Sequence, residues 1–324
     1  MRRRDFISGG LLVAAGAAGC ATANETAVAA EPVPIPEGDG IRTLFLGSGA
    51  SGWNPEFATK NPHMRRQSSV LLDGRVLIDF TSCGFDKLPE GCRPEALFQT
   101  HSHADHYSPS AAVKSGVARM YVHETWAASA RRQVAAAAEK LGMRAPEVIP
   151  LSFGTRVVEC GLAFTAVPAN HSTSRVTDGE LERTCLYLVE KGAARLLYAT
   201  DTAGIPGDSA RMIGIDPHIN DENFGKRLAS RFVHRPQAIT ALVMEATDGD
   251  SDEDFRMFVH SGVPTVARTV RMLAKHRRYL PPEGQKVYLT HFGIKYRGMP
   301  AEEVNKCLPE PLSAAYDGLE VVFR

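Results

Sequence analysis

Residues 100–109 read THSHADHYSP, which places His101, His103, Asp105 and His106 within six positions. Imidazole nitrogens and carboxylate oxygens are the natural donors for divalent cations of the zinc, manganese and iron kind. Along an extended segment alternate side chains point the same way, so His101 and His103 can reach one cation together. Asp105 and His106 then turn into the next element and can address a second cation. Each cation needs further donors. His171, in Ala169–Asn170–His171–Ser172, can complete the first set, and His291, in Leu289–Thr290–His291–Phe292, the second. Asp201, in Ala199–Thr200–Asp201–Thr202, offers a carboxylate to bridge them. Two cations about 3.5–4 Å apart share a water and lower its pKa toward neutrality, which supplies a nucleophile for phosphorus or a carbonyl carbon.

Donors so far apart in the chain must be brought together by secondary structure. Ile41–Leu46 reads as a strand that ends in the GSGASG turn. Ser69–Leu72 and Arg75–Phe80 flank Asp73–Gly74, a hairpin signal. Ala96–Thr100 is a short buried strand, Val157–Cys160 and Leu162–Val167 a second hairpin, and Cys185–Val189, Arg195–Ala199, Ala241–Met244 and Lys286–Leu289 further strands. Helices are predicted from Ser108 to about Ser115, over Glu124–Leu141 with Gly142 as its stop, and over Val263–His276. Strand-rich stretches with interspersed helices occur twice, which predicts an α/β fold of two sheets packed face to face with helices outside. Asp79, His101, His171, Asp201, Glu245 and His291 each fall at or just past the C-terminal end of a predicted strand, where ligand sites of α/β folds gather.

Composition suits one large globular domain or two small ones: of 324 residues 44% are hydrophobic and 23% charged. Lys and Arg number 37 against 37 Asp and Glu, so the chain lacks the basic excess of a nucleic-acid-binding face, and no nucleic acid partner is expected. The first 19 residues, with Arg2–Arg3–Arg4 and a mild apolar run, are expected to be an export signal. Arg3–Arg4–Asp5–Phe6–Ile7 resembles the twin-arginine motif, which makes the Tat machinery a partner. Ala17–Ala18–Gly19–Cys20 resembles a lipoprotein box, with Cys20 carrying the lipid and the membrane as its anchor. Residues 20–40 read as a flexible tether, and the folded domain begins near Ile41. Cys83 and Cys92 can close a short loop.

THSHADH, followed in order by AN-His171, YAT-Asp201 and LT-His291, resembles the metallo-β-lactamase superfamily over residues 41–324. LFLGSGASGW and RRQSSVLLDGRVLIDF are similar to its phosphodiesterase branch, which includes ribonuclease Z and the cyclic-phosphate phosphodiesterase of phosphonate breakdown. The resemblance implies a four-layer αβ/βα sandwich with a dinuclear site at one edge. It also implies that Asp79 orients a ligand imidazole and that His260, before the helix leading to the last ligand, protonates the leaving group. Glu245 is placed to assist. Asp201 stands where many true β-lactamases carry cysteine. The cysteine-rich structural zinc site of the phosphonate enzyme is missing, and the tRNA-gripping arm of ribonuclease Z is not evident.

The sequence therefore predicts an exported hydrolase with two divalent metal ions, Zn or Mn with Fe also suited, acting as a phosphodiesterase on a small or cyclic phosphate ester. Asp105 and His260 are its candidate catalytic groups, and Arg65, Arg66, Lys295 and Arg297 its candidates for holding the substrate anion. Lactone, thioester or other ester or amide hydrolysis is the alternative chemistry, and a metal-containing binding protein the alternative class. His63, His123, His218, His234 and His276 are expected to have no metal role.

Overall fold

The computed structural model describes residues 34–205, 238–251 and 259–324. The export segment with Arg3, Arg4 and Cys20, and also His218 and His234, lie outside the described residues.

Short apolar runs between turn residues become β1 (Ile41–Gly47), β2 (Ser69–Leu72), β3 (Val76–Ile78), β4 (Ala96–Phe98), β5 (Arg119–His123) and β6 (Glu147–Leu151). The last strand, β14 (Glu320–Phe323), pairs on the open side of β1 to give the sheet order β14-β1-β2-β3-β4-β5-β6. The helices of this half are α1 (Pro55–Lys60), α2 (Pro109–Ser115) and α3 (Glu124–Leu141). The second sheet contains β7 (Arg156–Glu159), β8 (Leu162–Thr177), β9 (Glu180–Lys191), β10 (Ala194–Ala199), β11 (Ala241–Glu245), β12 (Val287–Thr290) and β13 (Leu312–Ala314), in the order β13-β12-β11-β10-β9-β8-β7. Among the described residues its helices are α4 (Val263–Lys275) and α5 (Ala301–Lys306).

Three apolar layers hold the sheets and helices together. Phe45, Phe98, Phe164, Tyr187, Leu196 and Val243 fill the space between the sheets, with the Phe98 ring stacked 3.8 Å from that of Phe164. Trp126, Ala130 and Val134 of α3 cover Leu77, Leu97 and Met120 on one outer face. Val266, Val270 and Leu273 of α4 cover Leu242, Met244 and Leu289 on the other. The result is the expected four-layer αβ/βα sandwich. Each such buried aliphatic side chain stabilises it by about 1.5–3 kcal/mol.

Turn chemistry is consistent. Asp73–Gly74, Cys160–Gly161 and Asp178–Gly179 each have both residues at positive φ, the left-handed pair that hairpin turns require. The third of these was not anticipated. It lets β8 run on to Thr177 and pair with β9 as a long hairpin, with register shifts between Pro168 and Ser172 and again before Val176. His171 thus lies at a break inside β8 and not beyond its end. The polar HSTSRVT stretch carries little strand signal because much of it is exposed. β6 was likewise hidden, since Pro150 weakens a strand reading; it is tolerated because β6 is the sheet edge. The short loop that Cys83 and Cys92 could close is open. All five described cysteines are free, and the Cys83 thiol lies 3.1 Å from Thr81 Oγ1.

Candidate metal centre

Parallel pairing runs β3-β4-β5-β6 in one sheet and β10-β11-β12-β13 in the other, and the C-terminal ends of these strands carry the site. Asp79 follows β3, His101 follows β4, Asp201 follows β10 and His291 follows β12. Asp79, Asp201 and His291 have φ of 52°, 48° and 54°, a left-handed conformation that few side-chain-bearing residues adopt. The chain turns sharply there and aims each side chain along the sheet edge.

All seven candidate ligands meet. In a first group His101 Nε2 lies 3.0 Å from His103 Nδ1, and His171 Nε2 lies 3.2 Å from that same atom. Asp201 Oδ2 is 3.3 Å from His101 Nε2 and 3.6 Å from His171 Nε2. In a second group His106 Nε2 is 3.0 Å from His291 Nε2, and Asp105 Oδ2 is 3.5 Å from His291 Nε2 and 3.9 Å from His106 Nε2. Asp201 spans the two groups: Oδ2 also lies 3.4 Å from His106 Nε2, and Oδ1 lies 3.1 Å from His291 Nε2. A cation about 2.0–2.1 Å from tetrahedral donors sets neighbouring donors about 3.3 Å apart. The observed separations match that spacing.

Protons behind the donors point the same way. Thr100 Oγ1 donates to Asp79 Oδ2 at 2.7 Å, so it accepts from His101 Nδ1 at 2.9 Å. His106 Nδ1 donates directly to Asp79 Oδ2 at 2.7 Å, and His171 Nδ1 to the Val259 carbonyl at 3.0 Å. Thr247 Oγ1 donates to Glu245 Oε2 at 2.5 Å and accepts from His291 Nδ1 at 2.7 Å. With Nδ1 protonated in all four rings, their Nε2 lone pairs converge on the centre. Lone pairs 3.0 Å apart repel unless a cation lies between them. Asp201 Oδ1 is buried and receives no hydrogen bond from the described residues, as expected of a metal-facing oxygen. The residues present therefore fit a dinuclear centre.

Electrostatics agree. Burial, and then the neighbouring His106, hold His101 well below its ordinary pKa, and burial lowers His103 and His171. These are neutral donors. For Asp105 and Asp201 burial acts upward, but His291 and His106 outweigh it and keep both carboxylates well below their usual range. Burial also opposes charge on His106, yet Asp201 and Asp79 hold a proton there. A cation at Nε2 would take that proton's place.

Asp79 and Glu245 stand behind the donors on opposite sheets. Besides His106 and Thr100 Oγ1, Asp79 accepts from Gln99 Nε2 at 2.7 Å and from the Thr100 amide at 2.8 Å. Glu245 accepts from the Thr202 amide and from Thr247, and its Oε2 lies 2.9 Å from His260 Nδ1. The His260 ring is 5.0 Å from that of His171 and 5.7 Å from that of His291. Burial would lower the His260 pKa, but the Glu245 carboxylate, aided by Asp201, pushes it up to about 9. The Glu245 carboxylate thus favours the protonated form of His260, with Nδ1 tied back.

The four cationic candidates make no hydrogen bond or ion pair to the seven donors. Arg65 is a correction to the sequence reading. It is buried, and it donates to Ser48 Oγ and to the carbonyls of Tyr296, Met299 and Ala315, with its pKa pushed down by burial to about 10. It braces three loops and has no face left for a substrate. Arg66 pairs with Asp86 and Asp317, Lys295 with Asp250, and Arg297 donates to the Ser51 carbonyl. The glycine-rich turn is structural too: a Cβ on Gly47 would lie 2.0 Å from the Gln67 carbonyl oxygen. Of the turn's amides, Gly49 N donates to the Arg66 carbonyl at 2.6 Å and Ala50 N to the Phe292 carbonyl at 3.0 Å. Thr100, Thr247 and Ser102 were missed. Thr100 and Ser102 flank His101 in the motif itself, which was the available signal.

The family model of the beta-lactamase superfamily domain matches residues 84–292. That is more than half of the chain, and the protein belongs to this superfamily. No curated protein sequence matches it. Among solved structures it is similar to Zn(2+)-bound PqqB from Methylobacterium extorquens, at 18% identity and TM-score 0.57, covering 86% of this chain and 99% of that one. It is also similar to the metallo-beta-lactamase fold protein YhfI from Bacillus subtilis, at 13% identity and TM-score 0.54, with 88% and 100% covered. Unliganded yeast PDE1 matches at 11% identity and TM-score 0.52, with 88% and 99% covered. At these identities the likeness is one of fold. The protein thus has the metallo-β-lactamase fold and belongs to a superfamily of metal-dependent hydrolases.

Proposed function

We propose that the protein is a phosphodiesterase acting on a small or cyclic phosphate ester, exported and anchored through Cys20. One observation carries the reaction class: His260, held through Nδ1 by Glu245, sits beside two complete donor groups that do not need it as a ligand. His101, His103 and His171 would hold one divalent cation, Asp105, His106 and His291 a second, and Asp201 would bridge them. Bound there, the two cations supply Lewis acidity toward the phosphate oxygens and a water of lowered pKa. The chain's own part is positional and acid–base. Asp105, ionised at neutral pH and only partly buried, accepts a hydrogen bond from the attacking water. His260 delivers the Nε2 proton to the departing alkoxide oxygen, and Glu245 stabilises the proton-bearing ring and fixes its tilt. The Zn(2+)-bound state of PqqB makes zinc the first metal to test. Metal analysis of the purified protein, coupled to a panel of cyclic nucleotides, bis-aryl phosphates and lactones, tests the reading. Two equivalents of metal with preferential turnover of phosphodiesters support it; preferential turnover of lactones overturns it.

A further inference from the structure

Each ligand imidazole except His103 has its outward nitrogen tied: His101 to Thr100, His106 to Asp79, His171 to the Val259 carbonyl and His291 to Thr247. His103 faces the centre through Nδ1, the ring nitrogen nearer the backbone, and among the described residues no hydrogen bond holds its Nε2. A ring that ligates through Nδ1 is placed chiefly by its own backbone. Something must therefore fix the peptide between His101 and His103.

That peptide belongs to Ser102, which is buried. Its carbonyl accepts from an Arg175 guanidinium nitrogen at 2.6 Å, and its hydroxyl oxygen accepts from the same nitrogen at 3.1 Å. The Ser102 hydroxyl in turn donates to Glu182 Oε2. Glu182 is buried and takes a second hydroxyl, that of Thr177, on Oε1 at 2.7 Å. Arg175 and Thr177 lie in β8 and Glu182 in β9, so Arg175 and Glu182 reach Ser102 directly, and Thr177 through Glu182, from the long hairpin that also supplies His171. A buried carboxyl group is costly unless hydrogen-bonded, and this one spends both oxygens on the loop and on the hairpin's own strand.

We infer that Ser102, Arg175 and Glu182 form a latch through which the β8–β9 hairpin positions the His101–His103 loop, and that they are positioning residues for the first metal ion. The latch explains a hydroxyl residue between two ligands, and a polar hairpin that continues past the point where the sheet needs it. It also couples three of the first ion's donors, since His171 and the latch are carried on one element. The inference rests on the metal-centre reading but not on the substrate.

Cobalt titration tests it. Co(II) is bound to the parent protein and to Ser102→Ala, Ser102→Thr, Glu182→Gln and Arg175→Gln, with visible absorption and chelator competition as readouts. Arg175 is exposed, so its replacement leaves the fold intact even if Ser102→Ala does not. Ser102→Ala, Glu182→Gln and Arg175→Gln are expected to weaken one of two cobalt sites about 10–100-fold and to change its visible bands, as loss of ligand-orienting partners does elsewhere. The other site keeps its affinity, and Ser102→Thr restores the first. Unchanged affinity and spectrum at both sites in Arg175→Gln and Glu182→Gln overturn the latch. A parent protein that binds no cobalt overturns the metal-centre reading itself.

Discussion

Asp79 accepts the Nδ1 proton of His106 at 2.7 Å, and both side chains are wholly buried. Asp79 takes three more hydrogen bonds, from Gln99, from the Thr100 amide and from the Thr100 hydroxyl. Only a group with acceptors on both oxygens satisfies that set. An amide would turn its NH₂ toward a donor. Asp79→Asn is therefore expected to loosen His106, and His101 through Thr100, and to weaken metal binding about 10–100-fold. Chelator competition measures this; a lower melting temperature with unchanged metal affinity would limit Asp79 to a structural role.

The donors could be read before the fold because four of them share six positions and the others follow strand-like runs. Glu124–Leu141 was legible for a similar reason, ending at Gly142 in the left-handed conformation that glycine adopts freely. The proton relays were not. Thr247 meets His291 across the ends of β11 and β12, and only their parallel pairing brings positions 44 residues apart into contact. Arg65 misled because arginine is seldom buried; here backbone carbonyls from two loops and the Ser48 hydroxyl surround it. The hairpin extension past His171 was hidden by its own exposure, since a strand with both faces polar leaves no alternation to see.

Away from the centre, Glu159 at the end of β7 accepts from Arg119 Nε and Nη2 and from the Tyr121 hydroxyl, each at 2.7 Å. Burial acts to raise its pKa, but the hydrogen bonds from Arg119 and Tyr121 outweigh it and the net shift is downward. A carboxylate whose pKa is depressed in the folded state stabilises fully above its unfolded value, about 4.3. That contribution disappears as pH falls through the folded value. Glu159→Gln should cost about 1 kcal/mol at pH 7, the upper range for a partly exposed pair. Thermal melts should show a drop of about 2–4 °C that narrows once the pH falls below about 4. A gap that stays constant down to pH 3 would assign the loss to packing.

The proposed export route makes a separate prediction. Lysine at both Arg3 and Arg4 is expected to retain precursor in the cytoplasm, because the twin-arginine motif that these residues resemble depends on the arginine pair. Cys20→Ala is expected to release the protein from the membrane fraction while leaving hydrolytic activity intact. Fractionation followed by immunoblotting measures both, and a Cys20→Ala form that still pellets with membranes would count against the lipid anchor.

His260 separates the hydrolytic chemistries. As the P–O bond of an alkyl phosphodiester breaks, the leaving oxygen becomes strongly basic and needs a proton. A positioned acid contributes about 10²–10⁴-fold to such a step. A nitrophenolate leaves as a stable anion and needs that proton far less. His260 touches Glu245 through Nδ1 and lies close enough to Asp201 and His291 to share a cation with them, but the two donor groups are complete without it. His260→Ala is therefore expected to retain both metal ions and to lose about 10²–10⁴-fold in kcat on an alkyl diester, with a much smaller loss on a nitrophenyl diester. Glu245→Gln is expected to weaken metal binding as well, because Glu245 also accepts from Thr247, which holds the ligand His291. Metal content and both rates must be measured on one preparation. Equal losses on the two substrates with both metals bound would remove the leaving-group role and make His260 a ligand-positioning group.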